Sequence, residues 1–144
     1  MSAGARARIC IRAVDFLEEE EEIRELHRVC FDIRLKNFGH GFWWVAYLDD
    51  VAVAFAGLHA SVQWERTGYL ARAGVHPAAR GHGLQRRLIR VRIAKARRLG
   101  WQWLVTDTVE NPTSSNNLIE CGFRAFEPAK PWATKAAAYW RLKL

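Results

Sequence analysis

Apolar residues fall into short runs along most of this chain, a pattern typical of β-strands. Residues 42–48 and 51–59 are two such runs separated only by Asp49 and Asp50, and this arrangement predicts a β-hairpin. Pro77 ends a later run because proline cannot donate a hydrogen bond to a sheet. The predicted strands cover residues 7–14, 42–48, 51–59, 68–75, 101–109, 123–126 and 136–144.

Three segments have the spacing of helices that are apolar on one side. A first helix is predicted over residues 15–31, with Asp15 as its cap and glutamates in its first turns, where they favour the positive end of the helix dipole. A second helix over residues 81–99 has an apolar stripe opposite a row of arginines. A third, shorter helix is predicted over residues 114–121, whereas residues 32–41 are compatible with a short helix and a loop.

This order of elements predicts one α/β domain over residues 1–144, with a mixed sheet covered by helices. No apolar run approaches the roughly 20 residues needed to cross a bilayer. The N-terminus lacks the pattern of a signal peptide, so a cytoplasmic protein is expected. The three cysteines are far apart and the five histidines have no ligand spacing, so neither a disulfide framework nor a metal site is expected.

Positive charge is concentrated in one part of the chain. The net charge is +7, and residues 80–98 contain eight lysines and arginines but no acidic residue. Such a block indicates an anionic partner, which could be a nucleic acid, a membrane surface or a phosphorylated small molecule. On the second predicted helix, the same arginines are also typical of a solvated face, and the glutamates of residues 18–22 have the same explanation on the first helix.

Two closely spaced glycines join a predicted strand to the second helix, in a segment over residues 75–85 that reads VHPAARGHGLQ. The first N–H groups of a helix have no intrahelical partner, and Gly81 and Gly83 remove the β-carbons that would keep a ligand away from them. This geometry suits a phosphate, to which Arg80 could add charge-assisted hydrogen bonds. Alternatively, the glycine pair serves only to make a tight strand-to-helix turn.

Two familiar phosphate-binding fingerprints do not fit this segment. The loop that binds nucleoside triphosphates needs a lysine after the glycines, and none follows here. A dinucleotide fingerprint needs a third glycine where Arg86 stands, with an acidic residue about twenty residues further on, and both are missing. If an anion binds at this turn, it is therefore of another kind.

The segment resembles motif A of the GNAT superfamily, the acetyl-CoA-dependent N-acetyltransferases. In that motif a strand ending in V-x-P precedes [QR]-x-x-G-x-[GA], which opens a long helix. Residues 80–84 fill the first five positions, and Gln85 replaces the small residue of the sixth. Downstream, NPTSSNNLIECGF at residues 111–123 resembles motif B of the same superfamily, and the order of elements over about residues 8–144 agrees.

The resemblance implies the GNAT fold, an α/β domain whose mixed, mostly antiparallel sheet of about seven strands is flanked by helices and splayed between the fourth and fifth strands. The implied co-substrate is acetyl-CoA, whose pantetheine arm would pair between these strands with the backbone of residues 73–75. The Val75 N–H would polarise the thioester carbonyl as an oxyanion donor. The implied coenzyme-binding residues are Ala73, Gly74, Val75, Arg80, Gly81, His82, Gly83, Leu84, Gln85, Asn111, Ser114 and Asn117.

Different residues of this set would bind different parts of the coenzyme. The N–H groups of residues 81–85, with Arg80, would bind the pyrophosphate. Asn111 would reach the arm from the other side, and Ser114 and Asn117 would lie near the arm or the adenosine. Ser114 could also serve as the N-cap of the third helix.

The chain departs from the family where acid and base catalysts are often found. Leu118 replaces a tyrosine that often acts as the acid, and the fourth strand lacks the glutamate base of some members. Asp107 on the fifth strand could accept a proton or hold the substrate ammonium, Glu65 could act through water, and Tyr139 could lie near the sulfur. Alternatively, Asp107 is an outward-facing or ion-paired residue, Glu65 a surface residue and Tyr139 a core aromatic. Water alone could also suffice, because thiolate is a reasonable leaving group.

The sequence thus predicts an N-acetyltransferase that moves an acetyl group to a primary amine, either a small molecule or a peptide, and that works as a monomer or homodimer without a membrane or a metal. Two other functions remain open. One is a GNAT-fold module that binds coenzyme A without turnover, and the other is a basic nucleic-acid-binding protein, although no binding motif with interleaved aromatic residues accompanies the basic helix.

Overall fold

The computed structural model describes residues 8–31 and 41–144, so most of the segment predicted as a short helix and loop lies outside the described residues. Strands and helices follow one another along the chain in nearly the order that the hydrophobic pattern predicts. The strands are β1 (Ile9–Val14), β2 (Phe42–Leu48), β3 (Val51–Ala60), β4 (Thr67–Val75), β5 (Trp103–Val109), β6 (Arg124–Phe126) and β7 (Ala137–Lys143), and the helices are α1 (Glu20–Phe31), α2 (Leu84–Arg98) and α3 (Pro112–Glu120).

The described strands form one seven-stranded sheet in the order β1-β2-β3-β4-β5-β7-β6. Every neighbouring pair is antiparallel except β4 and β5, which are parallel. The predicted mixed, mostly antiparallel α/β sheet is therefore confirmed. The hairpin between β2 and β3 is also confirmed, since Asp49 and Asp50 have φ angles of 48° and 66° and make the left-handed two-residue turn that suits the twist of a hairpin.

The predicted helix starts need correction. Asp15 does not cap α1: its carboxylate accepts a hydrogen bond from the Leu17 N–H and closes a separate turn, and α1 begins only at Glu20. α2 begins at Leu84, three residues later than predicted, because Gly81 and Gly83 both have positive φ. α3 begins at Pro112, earlier than predicted, since proline is well suited to the first position of a helix.

The sheet has an apolar cluster on each face. On one face, the cluster contains residues of α2 and α3, among them Leu88, Ile93 and Leu118. On the other face, Ile23 and Leu26 of α1 pack with aromatic residues of β2 and β3. α1 approaches β4 so closely that a β-carbon at Gly74 would lie 2.9 Å from Cys30 Sγ, so a glycine is needed there. The helices are thereby placed on both sides of β4.

Candidate active site

The parallel strands β4 and β5 separate soon after they begin. They pair only over Thr67–Trp103, Gly68–Leu104 and Tyr69–Val105, and beyond this point the strands share no ladder. At the point of divergence a side chain replaces the backbone hydrogen bonds between the strands, since Thr106 Oγ1 donates a 3.1 Å hydrogen bond to the Leu70 carbonyl. The predicted splay is therefore present, and a cleft of about 450 Å³ opens between the two strands.

β4 contains a β-bulge next to this cleft. Ala56 of β3 pairs with Ala73, whereas Leu58 pairs with Leu70, so β4 has one more residue than β3 over this stretch. A bulge bends its strand and redirects the backbone groups that follow. The extra residue therefore lies at the start of the segment that was predicted to pair with the pantetheine arm.

Backbone N–H groups of β4 point into the splay. The His76 N–H donates to the Val53 carbonyl of β3 at 2.7 Å. Because successive N–H groups of a strand point to opposite sides, the Val75 N–H is directed away from β3 and toward the cleft, and the same alternation directs the Ala73 N–H there. Both residues line the adjoining cleft at the start of α2. Their N–H groups are available to a ligand between the strands.

The start of α2 forms an open cradle of backbone N–H groups. Gly83 is the N-cap in a left-handed conformation with a φ of 69°, and it has no side chain to cap the helix. β-carbons built on Gly81 and Gly83 would meet no atom within 4 Å, so the space in front of the turn is free. These glycines and Arg80 line a cleft of about 540 Å³. The cradle has the positive potential and the room that a pyrophosphate needs.

Two predicted coenzyme-binding side chains are turned away from this cradle. The ring of His82 contacts the Ala79 carbonyl through Nδ1 at 3.0 Å, and the side chain of Leu84 is buried in the core. At these positions only the backbone N–H groups are available to a ligand. The physical reason is that the glycines turn the chain so that its backbone, rather than its side chains, faces the cleft.

Three predicted coenzyme-binding residues are hydrogen-bonded to one another. The side-chain amide of Gln85 donates to Ser114 Oγ at 2.8 Å and accepts from Asn117 Nδ2 at 2.7 Å. Asn111, rather than Ser114, is the N-cap of α3, since its Oδ1 accepts from the Ser114 N–H. Gln85, which departs from the family motif, thus connects the first turn of α2 to the first two turns of α3 across the mouth of the cleft.

Asp107 lies on the wall of the cleft between β4 and β5 and is held by two donors. Tyr69 donates a 2.6 Å hydrogen bond and Trp132 Nε1 a 2.9 Å hydrogen bond, both to Oδ1. Burial and the neighbouring Asp107 carboxylate raise the pKa of Tyr69 above its ordinary value, so its hydroxyl keeps its proton and acts as a donor. No residue of the described segments donates to Oδ2, and this oxygen is available to a ligand in the cleft.

The other two candidates for catalysis lie elsewhere. Glu65 is exposed on the wall of a different depression, beside Trp64 and Arg141. Tyr139 is buried, and its hydroxyl accepts a hydrogen bond from the Ala133 N–H, which holds the loop that carries Trp132. The structure therefore brings only Asp107 of these three side chains to the cleft.

The sequence interpretation missed two residues of the cleft wall, Tyr69 and Arg92, and the second donor to Asp107, Trp132. Tyr69 and Trp132 were not singled out, and Arg92 was assigned to the solvated face of the basic helix. That assignment is wrong for Arg92, which is 2 % exposed and lines the cleft between β4 and β5. Within the described segments, no cluster of histidine, cysteine, aspartate or glutamate could hold a metal ion, and no helix is long and apolar enough to cross a membrane.

The family model for the acetyltransferase (GNAT) family matches residues 11–123. This chain belongs to the GNAT acetyltransferase family. The family match covers both motifs identified in the sequence, at residues 80–84 and 111–123. The GNAT resemblance is thus confirmed by a match that extends over most of the chain.

Solved structures agree with the GNAT fold. N-acetyltransferase from Staphylococcus aureus Mu50 has a TM-score of 0.76 at 16% identity, and the alignment covers 94% of this chain and 98% of that one. yncA of Salmonella typhimurium, a candidate acetyltransferase solved with its cofactor acetyl-CoA, has a TM-score of 0.73 at 20% identity, covering 94% and 93% of the two chains. The ribosomal-protein-S18-alanine N-acetyltransferase of Escherichia coli has a TM-score of 0.74 at 14% identity, covering 94% of each. No curated protein matches the sequence.

Proposed function

We propose that this GNAT protein is an N-acetyltransferase that moves the acetyl group of acetyl-CoA to a primary amine. The observation that carries the proposal is the continuity of the two clefts: the cradle at the start of α2 and the cleft beside Asp107 share Ala73, Gln85, Asn111 and Ser114 in their walls. A ligand can therefore extend from the glycine turn to the carboxylate. One end of this path favours an anion and the other favours a cation.

The donor end is formed by backbone groups. The N–H groups of residues 81–85 and the guanidinium of Arg80 would bind the pyrophosphate, and the N–H groups of Ala73 and Val75 would donate to the arm and to the thioester carbonyl. The Gln85 bridge to Ser114 and Asn117 would keep the two walls of the cleft at a fixed separation. When bound, acetyl-CoA supplies an acetyl carbon that forms a bond to the amine nitrogen as the carbon–sulfur bond breaks and the sulfur departs with the electron pair.

The acceptor end is formed by Asp107. Its Oδ2 would attract the substrate ammonium into the cleft and accept the proton that the nitrogen gives up, before passing it to water. Tyr69 and Trp132 fix the carboxylate through Oδ1, which supports a role in which Oδ2 would face the substrate without having to reorganise. Glu65 and Tyr139 have no role in this proposal, since neither side chain lies on the cleft wall.

Release of free thiol from acetyl-CoA in the presence of a panel of primary amines tests this proposal. We expect turnover with at least one amine, and acetylated product detectable by mass spectrometry. Tight binding of acetyl-CoA without turnover on a broad panel would favour the module that binds coenzyme A and does no chemistry. Steeply salt-dependent DNA binding without affinity for coenzyme A would favour the nucleic-acid alternative. Action in the cytoplasm, as a monomer or homodimer on a small-molecule or peptide amine, stays a prediction.

A further inference from the structure

Arg92 is a buried cation surrounded by neutral groups. Its Nε donates to the Leu88 carbonyl at 3.0 Å, and its Nη1 donates to the carbonyls of Gly57 at 3.2 Å and Ala71 at 3.4 Å. Among the ion pairs of the described residues, none includes Arg92. Buried charges in proteins are normally paired, because an isolated ion loses several kcal/mol of hydration. A charge left without an ionic partner among the described residues suits a counter-charge that a ligand brings into the cleft.

The guanidinium is next to the place where the sheet opens. Gly57 and Ala71 lie within the β-bulge, between the pairs Ala56–Ala73 and Leu58–Leu70, so two of the three acceptors of Arg92 are carbonyls of the distorted ladder. Arg92 also lines the cleft between β4 and β5, and its Nη2 has no acceptor within residues 8–31 and 41–144. Burial lowers the pKa of Arg92 to about 9, and the side chain therefore remains charged at neutral pH.

The same cleft contains Leu118, which occupies the position where the family resemblance places a tyrosine acid. Leucine cannot protonate or stabilise a departing sulfur. Arg92 follows Gly83 by nine residues, and at a rise of about 1.5 Å per residue it lies about 13 Å further along α2 than the cradle. Arg92 therefore lines the cleft beside Asp107 and not the cradle that would hold the pyrophosphate.

We infer that Arg92 stabilises the coenzyme A thiolate at the deep end of the cleft, in place of the missing acid. The inference rests on the proposed function. In the reaction, the amine nitrogen bonds to the acetyl carbon, the carbon–sulfur bond breaks, and the electron pair goes to a sulfur that faces the guanidinium. The ammonium proton goes to Asp107, Arg92 keeps its own protons, and the thiolate takes a proton from water after release. Of the two N–H groups that face the cleft, that of Ala73 would then polarise the thioester carbonyl and that of Val75 would bind the arm, because Ala73 is nearer along β4 to the Ala71 carbonyl that Arg92 contacts.

The two faces of the cleft thus carry opposite charges. Asp107 and Tyr69 lie on the side of the incoming amine, and Arg92 lies on the side of the departing sulfur. Arg72 also lines the cleft but is exposed and lies over the Phe31 ring, 5.4 Å from its centre. Cys121 is close enough to interact electrostatically with Arg92, and burial raises the pKa of its thiol, so it stays neutral at pH 7.

The test compares the binding of coenzyme A with that of desulfo-coenzyme A, which lacks the thiol, between pH 7 and pH 9 by calorimetric titration. For the wild-type protein, we expect the preference for coenzyme A over the desulfo analogue to increase about tenfold across this range, since tenfold corresponds to one unit of thiol pKa. A bound thiolate favours the charged form of Arg92, so the guanidinium keeps its proton over this range although its pKa without a ligand is about 9. Ultraviolet absorbance of the bound thiolate should appear at a lower pH than for the free coenzyme. Arg92→Met should lose both effects, and Arg92→Lys should retain most of them.

Arg97→Met is the matched control, because Arg97 is exposed on the same helix, and it should behave like the wild type. A wild-type protein that binds coenzyme A but shows no pH-dependent preference over the desulfo analogue would overturn the inference, even if Arg92→Met does not fold. An Arg92→Met variant with an unchanged preference would overturn it as well, and would leave Arg92 as a support for the β-bulge alone. In both cases coenzyme A still binds, so the proposed function stands. Failure of the wild type to bind either ligand would contradict the proposed function itself.

Discussion

The Tyr69 hydroxyl donates a 2.6 Å hydrogen bond to Asp107 Oδ1 and so joins β4 to β5 at the point where their pairing ends. Trp132 donates to the same oxygen from the loop between β6 and β7. With both donors on Oδ1, the orientation of the carboxylate is fixed while Oδ2 remains open to the cleft. Two partners that are distant in sequence thus orient Asp107, a residue of β5 that lines the cleft.

Substitution of Asp107 by asparagine tests its role with the amine. Asp107→Asn keeps the size of the side chain but removes its charge and its ability to take a proton, so kcat/KM for the amine should fall by about 10²-fold or more. The loss should be greatest at low pH, where the substrate is most fully protonated. The affinity for acetyl-CoA should not change. The measurement is the pH dependence of kcat/KM from thiol release.

The control for this substitution is Asp50→Asn, since Asp50 is exposed in the β2–β3 turn, away from the cleft. This variant should retain wild-type kinetics. A pH–rate profile of Asp107→Asn that superimposes on the wild-type profile would remove Asp107 from the mechanism.

The Tyr69 hydrogen bond should make stability depend on pH in the alkaline range. At neutral pH, Tyr69→Phe should lower the free energy of unfolding by about 1–2 kcal/mol, because a buried hydrogen bond to a charged group is lost. Folding raises the pKa of Tyr69, so the folded state holds this proton more tightly than the unfolded state. The contribution of the tyrosine is therefore complete below about pH 10, the ordinary tyrosine pKa, and is lost as the pH rises above it.

Urea unfolding of the wild type and Tyr69→Phe at pH 7, 9 and 11 measures this effect. The difference between the two proteins should be equal at the two lower pH values and smaller at pH 11. Using the difference cancels the titration of the other tyrosines and of the lysines. A difference that stays constant up to pH 11 would show that Tyr69 is not coupled to Asp107 in solution.

The Gln85 bridge should couple α2 to α3. Gln85→Met and Asn117→Leu should each destabilise the protein by about 1 kcal/mol, because each leaves a polar partner without its hydrogen bond. In a double-mutant cycle the two effects should be less than additive by about 0.5–1 kcal/mol. Gln102→Met, at an exposed position, should have little effect on stability. Strict additivity of the two substitutions would mean that the bridge does not form.

Local patterns explain how much of the fold was predictable from the sequence. The seven strands, the Asp49–Asp50 turn and the glycine turn at the start of α2 depend on residues that are neighbours in the chain, and the sequence predicts all of them. Strand alternation and turn residues act over a few positions, so a single sequence contains the information. Helix starts were less accurate, since Asp15 can cap a turn as readily as a helix.

The candidate site was predictable only in part, because its side chains meet across the sheet. Asp107 was predictable from its position on the fifth strand, four residues before Asn111. Its two donors, Tyr69 and Trp132, are 38 and 25 residues away in the chain, and no local pattern links them to it. Arg92 did leave a signal that was overlooked: with Leu88 and Ala96 it falls at intervals of four residues, on the buried side of α2. The charge of Arg92 suggested a side chain exposed to solvent, whereas its spacing with Leu88 and Ala96 indicated a buried one.

The most direct test of the account is a titration of acetyl-CoA into Gly83→Leu and Gly100→Leu. Both glycines have a left-handed φ, of 69° and 76°, and a β-carbon on either would meet no atom within 4 Å. Each substitution should therefore cost a similar 1–2 kcal/mol or so of stability from backbone strain. Only Gly83 faces the proposed pyrophosphate site. We predict that Gly83→Leu weakens acetyl-CoA binding at least tenfold relative to Gly100→Leu, and equal affinities in the two folded variants would contradict the account.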